Sequence, residues 1–294
     1  MENCDILIVG AGAAGISAAK AAAEAGCNKI LLVDRNREPG GILLQCFHHG
    51  FGHRLNGPEY VRELLEDFPA EITWQPNTTV LSVTKEKTAL LSSADFGRQT
   101  VAFRQLILAT GCREIPLGAL LIGGTRPSGI YTAGQMQAMM NLHGFIPEGP
   151  AVILGSGDIG LVMASHLAEK GIAVTLVEQR AQCGGMTKNQ RCLKEYPICL
   201  RCNTTIREIR GEKKLEGVLL SDGTVLPCRT LLVAAGLRPE RDLIWEIADA
   251  PWLHICGNCN TVHPIVEAVV SEGEQAGLSA YENYEVAYDR QTWP

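Results

Sequence analysis

Ile6, Leu7, Ile8 and Val9 form an unbroken apolar run that stops at Gly10. A run this short and rich in branched residues predicts a strand buried on both faces rather than a helix. An alanine-rich stretch follows, helical over about 14–25 and closed by Gly26, and then a second apolar run, Ile30 to Val33, which ends in Asp34. The same order returns later. Ala151 to Leu154 reads as a strand, a helix runs to about Lys170 and stops at Gly171, and Val174 to Val177 is a strand ending in Glu178. Leu106-Ile107-Leu108-Ala109-Thr110-Gly111 and Leu231-Leu232-Val233-Ala234-Ala235-Gly236 are a further matched pair, each an apolar strand closed by Ala-x-Gly.

Between these landmarks the pattern is weaker. Asn56-Gly57-Pro58-Glu59 starts a helix reaching about Phe68, with Pro58 suited to its first turn. Short strands are expected at 72–74, 80–84, 88–92 and 101–103. Residues 42–52 mix apolar groups, Cys46, His48, His49 and glycines, as expected of a loop or short helix over a ligand. Residues 117–149 form a connector with a helix over 133–141. The tail gives a strand at His254-Ile255-Cys256, a turn at Gly257-Asn258 and a helix from Pro264 to about Tyr281. The pattern predicts an α/β fold with two Rossmann-like domains, the second inserted in the first. Residues 1–117 and 247–294 make one domain and 118–246 the other.

The chemistry sits in the glycines. Gly10-Ala11-Gly12-Ala13-Ala14-Gly15 and Gly155-Ser156-Gly157-Asp158-Ile159-Gly160 are both G-x-G-x-x-G, each between a strand and a helix. The first glycine permits a tight turn, the second lets backbone approach a pyrophosphate, and the third lets helix lie close to strand. The helix N-terminus adds free N–H groups and partial positive charge. Asp34 and Glu178 stand where an acid accepts hydrogen bonds from a ribose. Each unit therefore reads as a dinucleotide cradle.

Bulk properties exclude some alternatives. The 294 residues carry a net charge of -6, which gives no basic footprint for nucleic acid. No stretch is apolar and long enough to span a membrane. The N-terminal run lacks a basic leader and contains Glu2 and Asp5, so no secretory signal is expected. Eleven cysteines, an odd number, suit reduced thiols and the cytoplasm.

Two such units with Ala-x-Gly strand ends, followed by Gly-Asn before the last helix, resemble the two-dinucleotide flavoproteins, which include thioredoxin reductase and the other pyridine nucleotide-disulfide oxidoreductases. Gly40-Gly41-Ile42-Leu43-Leu44-Gln45-Cys46, Ala109 to Glu114, Gly155 to Leu161 and Cys256-Gly257-Asn258 are similar to the FAD-dependent oxidoreductases that accompany glycerol-3-phosphate-dehydrogenase-like proteins. Components of hydrogen cyanide synthase, opine oxidase and hydroxyproline dehydrogenase are similar. The resemblance implies FAD at Gly10, Gly12, Ala13, Ala14, Gly15, Asp34, Arg35 and Gly41, with Val80 at the adenine and Ala109, Thr110 and Gly111 at a second contact. Gly257 and Asn258 match a Gly-Asp pair that holds the ribityl chain, with Asn in place of Asp. It implies a nicotinamide nucleotide at Gly155, Gly157, Asp158, Ile159, Gly160, Glu178 and Gly236. The Glu178 carboxylate favours NADH, because it repels the extra phosphate of NADPH; Arg180 is a weak opposing signal.

The implied activity is hydride transfer from NADH to flavin, with electrons then leaving to an acceptor or partner subunit. The resemblance implies a second flavoprotein and an iron–sulfur protein as partners. Departures from the family bear on this. The positions two and seven after Gly41, which carry the redox cysteines of the larger disulfide reductases, are Leu43 and His48. Residues 128–150, where thioredoxin reductases carry C-x-x-C, contain no cysteine. Cys46 remains as a redox thiol or as apolar filler, and His48 and His49 as acid–base groups or structural ones. Cys112 reads as packing. Cys199/Cys202 and Cys256/Cys259 are spaced C-x-x-C, but zinc would need both pairs together, and they belong to different domains. An alternative is a thiol–disulfide reductase working through Cys46. Another is an FAD-binding electron-transfer subunit without activity alone.

Overall fold

A computed structural model describes residues 2–288 of the chain. It divides into two compact units, one of Met1–Arg113 with Arg238–Pro294 and one of Glu114–Leu237. The chain crosses between them earlier than the pattern places it, after 113 rather than 117 and after 237 rather than 246. The reason lies in the strand ends. Thr110 and Gly111 bond to Glu240, so the stretch after Arg238 already belongs to the first unit.

The first unit begins with strand β1 (Glu2–Val9), helix α1 (Ala13–Glu24) and strand β2 (Ile30–Val33). β1 lies parallel between β2 and the Gly97–Leu108 strand. The sheet continues outward through Ile72–Gln75 beyond β2, and through Thr88–Ser93 and Thr78–Val83 on the other side. Ile6, Leu7 and Ile8 have no solvent exposure, as an apolar run covered on both faces requires.

The pattern suggests separate strands at 101–103 and 106–108, but the structure has one long strand, Gly97–Leu108. Along one edge it changes partner: residues 97–102 pair antiparallel with Thr88–Ser93, and Leu106–Leu108 pair parallel with the Leu253–Ile255 strand. Arg104 and Gln105, the polar interruption, lie between these two pairings. The ambiguous 42–52 stretch forms a 3-10 turn, Gly41–Gln45, and then His49–Phe51, which pairs with Leu55–Asn56. Helix α2 (Gly57–Leu64) follows, opened by a reciprocal Asn56/Glu59 capping box, and it is shorter than expected.

The second unit has a five-stranded parallel sheet in the order Ile130–Thr132, Thr230–Val233, Ala151–Leu154, Val174–Val177, Cys199–Arg201. The Asp158–Glu169 helix packs on it, and a separate four-stranded sheet includes the antiparallel strands Ile206–Arg210, Gly217–Leu220 and Val225–Pro227.

The last helix, Val266–Tyr288, returns to the first unit and packs along α1. It starts two residues after Pro264 and runs beyond Tyr281. The seam is built from small residues. A Cβ on Gly273 would stand 2.3 Å from the Ala14 carbonyl oxygen, and one on Gly277 would stand 2.2 Å from that of Ala18. The helices approach this closely because nothing larger than hydrogen projects from Gly273 and Gly277.

Candidate functional site: two dinucleotide cradles

In the first unit four adjacent strands end at one place. β1 ends at Gly10, β2 at Asp34, the Gly97–Leu108 strand at Ala109-Thr110-Gly111, and the Leu253–Ile255 strand at Cys256-Gly257-Asn258. The carboxyl ends of parallel strands are where such folds take a ligand. Gly10 turns at φ +105°, and a Cβ there would lie 2.4 Å from the Ala109 carbonyl oxygen. A Cβ on Gly15 would lie 1.8 Å from the Gly10 oxygen, so α1 can leave the turn only with glycine here. Gly12 differs: it caps α1 with ordinary dihedrals, φ -77°, and a Cβ on it would meet nothing within 4 Å. The space a side chain would occupy is open in front of the first helical turn. No side chain caps α1, so the N–H groups of Ala13 and Ala14 have no side-chain acceptor.

The expected ribose acid has a second use. Asp34 accepts the Ala11 N–H through Oδ2 and the Asn36 N–H through Oδ1, both at 2.8 Å. It braces the glycine turn from the neighbouring strand. Gly40 donates to the Ala11 oxygen at 2.7 Å, and Gly41 follows beside Gly12, where a Cβ would be 3.2 Å from the Gly12 Cα. Arg35 is exposed. Val80 is half-buried in an outer strand, but that strand enters through the Thr78 N–H, which donates to the Asp34 oxygen at 2.8 Å. The Thr110 hydroxyl donates to the Glu240 oxygen at 2.7 Å and fixes the Ala-x-Gly end.

The second unit repeats this part by part. Gly155 turns at φ +104° with its Cβ direction blocked by the Ala234 oxygen at 2.3 Å, and a Cβ on Gly160 would lie 2.3 Å from the Gly155 oxygen. Gly157 again faces open space. Glu178 accepts the Ser156 N–H at 2.9 Å, the Ser156 hydroxyl at 2.7 Å and the Arg180 N–H at 2.9 Å. Burial alone would push the pKa of its carboxyl up. The Ser156 hydroxyl and the Arg180 and Ser156 amides outweigh that, and the carboxyl lies below the usual glutamate value. Asp158, on the first turn, accepts the Met186 N–H at 2.7 Å and the Asn189 amide at 2.6 Å. Ile159 is half-buried. Gly236, at φ +121°, accepts the Ile115 N–H at 3.0 Å.

The glycine fingerprints do not mark several members of these sites. Gly184 and Gly185 follow Glu178 at the same six- and seven-residue spacing as Gly40 and Gly41 follow Asp34. Gly184 donates to the Ser156 hydroxyl at 2.8 Å, which draws this loop onto the second glycine turn. That repeated spacing is the signal in the sequence that could have found them. Ser156, fully buried, links Glu178 to Gly184, yet the fingerprint shows it only as an "x".

Most thiols and histidines fall outside these cradles' polar contacts; Cys183, whose sulfur lies 4.0 Å from the Ser156 carbonyl oxygen, and His263, whose N–H donates to Asn258, are exceptions. All eleven cysteines are thiols. Cys46 is 8% exposed, donates to the Ile42 oxygen at 3.3 Å, and is pushed up to about 12 by burial. Cys256 and Cys259 are buried and both point their sulfur at the Leu108 oxygen. Cys199 is exposed and opens its strand's pairing opposite Thr175. His48 packs against Phe51 with ring centres 5.2 Å apart, and His49 is exposed. Among the described residues no group of three or more His, Cys, Asp or Glu could hold a metal ion, and no helix is long and apolar enough to cross a membrane.

Comparison with known proteins agrees with this geometry. Residues 4–254 match the family model for pyridine nucleotide-disulphide oxidoreductases. A component of the opine oxidase of Rhizobium meliloti, its A polypeptide, is 26% identical over 82% of this chain, which spans about half, 52%, of that protein. Thioredoxin reductase of Treponema pallidum is 27% identical over 82% of this chain and 78% of its own. The crystal structure of thioredoxin reductase from T. acidophilum superposes with a TM-score of 0.77 at 20% identity, covering 96% of this chain and 99% of that one. With two blocked-and-open glycine turns, each braced by an acid, the chain belongs to the pyridine nucleotide-disulphide oxidoreductases, enzymes that bind FAD and a nicotinamide nucleotide.

Proposed function

We propose that the chain binds FAD in the first unit and NADH in the second, and passes a hydride from NADH to the flavin and the electrons on to an acceptor or a partner subunit. The single observation that carries this is the open space before Gly12 and Gly157, each at a helix N-terminus and each walled by blocked glycines. That is the shape and charge a pyrophosphate needs. Here the chain's own residues bind and orient: Ala13, Ala14 and the α1 N-terminus face the phosphates, Asp34 the ribose, and Gly257 and Asn258 the ribityl chain. FAD, when bound, supplies the two-electron chemistry. Glu178, held ionised and braced, supports NADH over NADPH.

The partner reading rests on a relative that is itself named as one subunit of an opine oxidase. A second flavoprotein and an iron–sulfur protein are the partners we infer, and the odd number of cysteines, eleven, suits a cytoplasmic setting. The test is an anaerobic titration of the FAD-loaded chain with NADH and with NADPH, followed at the flavin absorbance band. NADH is expected to bleach the band at roughly tenfold lower concentration. Bound FAD that neither nucleotide bleaches would favour an electron-transfer protein that is inactive alone.

Thiol–disulfide chemistry through Cys46 is disfavoured by burial, since the thiolate is the nucleophile and burial suppresses it. Cys46→Ser is expected to leave NADH turnover with an artificial acceptor within about twofold of the parent. Loss of a disulfide-reducing activity in that variant alone would reinstate the thiol.

A further inference from the structure

The Gly257–Asn258 turn is held by groups that the family fingerprint does not include. Glu272, on the second turn of the last helix, accepts the Gly257 N–H through Oε2 at 2.8 Å. Its other oxygen accepts from Asn260 Nδ2 at 3.4 Å and lies 2.9 Å from His263 Nε2, a close approach without hydrogen-bond alignment. Arg241 also donates to the carbonyl oxygens of Cys259 and Asn260. The carboxylate is itself placed by its neighbour. Gly273 seats this turn of helix against the Ala14 carbonyl, and a Cβ on Gly257 would lie 2.7 Å from the Ala14 Cβ. The first turn of α1, the last helix and the Gly257 turn therefore meet in one place, and Glu272 is the charged group that joins the last two.

The same bracing decides what Asn258 offers. Its Oδ1 accepts the His263 N–H at 3.0 Å. An N–H can only donate, so this bond assigns the amide: the oxygen faces His263, which leaves the NH2 as the group that can donate to another acceptor. An aspartate in this position would offer a second acceptor instead.

We propose that Glu272 is a positioning residue for flavin binding: it fixes the Gly257–Asn258 turn so that Asn258 presents N–H donors to an acceptor oxygen of the dinucleotide. The inference rests on the reading that the first unit binds FAD. Three contacts converge on one carboxylate that does not itself need to reach the ligand. Its loss releases the Gly257 N–H, the His263 ring and, through the His263 segment, the orientation of Asn258.

The test is FAD titration of the apoprotein, read by quenching of flavin fluorescence and by visible circular dichroism, in E272Q, E272A, N258A and E272A/N258A. Glu272→Gln keeps an acceptor for Gly257 but turns an NH2 toward Asn260, and FAD is expected to bind about tenfold more weakly. Glu272→Ala is expected to weaken it by about 30-fold and to change the visible dichroism of the bound flavin. Because Glu272 acts through Asn258, the double variant should be no weaker than the worse single one. Glu274→Gln, exposed on the same helix, should bind like the parent. Fully additive losses in the double variant, or parental affinity and dichroism in E272Q and E272A, would overturn the inference. A parent chain that takes up no FAD would overturn the reading beneath it.

Discussion

Gly12→Asp should give a folded protein that stays colourless in the presence of flavin. The position has φ -77° and an extended ψ, open to any residue, and a Cβ there touches nothing within 4 Å. It is also the N-cap of α1, where aspartate is a preferred residue and glycine only slightly worse. The substitution should therefore leave the ligand-free protein as stable as before, or firmer by about a few tenths of a kcal/mol. The added carboxylate fills the space where the phosphates would sit and neutralises the helix end that attracts them. FAD affinity is expected to fall by at least about 100-fold, roughly 2.7 kcal/mol. Stability and binding then move in opposite directions, measured by thermal melting of the apoprotein and by flavin titration. Gly157→Asp makes the matching change in the second unit: the protein should hold flavin, and NADH should no longer bleach it. A Gly12→Asp protein that binds FAD normally would show that the pyrophosphate lies elsewhere.

Gly277→Val should damage the first unit more than any exposed substitution. A Cβ in that place would lie 2.2 Å from the Ala18 carbonyl oxygen, and backbone cannot swing aside as a long side chain can. α1 and the last helix would have to separate, uncovering Ala18, Ala22 and Ala280, all wholly buried. Overpacking of this kind costs roughly 1–3 kcal/mol, and the loss of the seam's contacts should bring the total to about 3 kcal/mol or more. Urea unfolding would show it as an earlier first transition. Leu278→Ala, on the exposed side of the next residue, should shift that transition by no more than about 0.5 kcal/mol.

Much of this is legible in the sequence because it is local. A strand, a glycine turn and a helix lie close together along the chain, so Gly10 to Asp34 and Gly155 to Glu178 declare themselves. Their partners Ala109 and Ala234 are visible because each ends its own apolar run. The contacts that complete the sites are not local. Asp34 and Glu178 are expected to face a ribose; that they also brace Ala11 and Ser156 depends on side-chain reach, which spacing does not give. Arg241 and Glu272 approach the Gly257 turn from either side in sequence, and nothing in the run Cys256 to His263 announces them. The long Gly97–Leu108 strand reads as two because its polar middle looks like a break, while in the sheet it marks a change of neighbour. The Gly184–Gly185 echo stands in plain view, but no apolar run frames it, and periodicity alone passes over it.

The first unit is made of chain from both sides of the second, and that has a consequence for synthesis. When the ribosome has made α1, the helix that will cover its alanine face does not yet exist, and the whole inserted unit is translated in between. At ordinary elongation rates the wait is roughly 10–50 s. Over that interval the nascent segment carries an uncovered apolar stripe of the kind that holdase chaperones bind. The inserted unit, whose residues are continuous, is free to mature first.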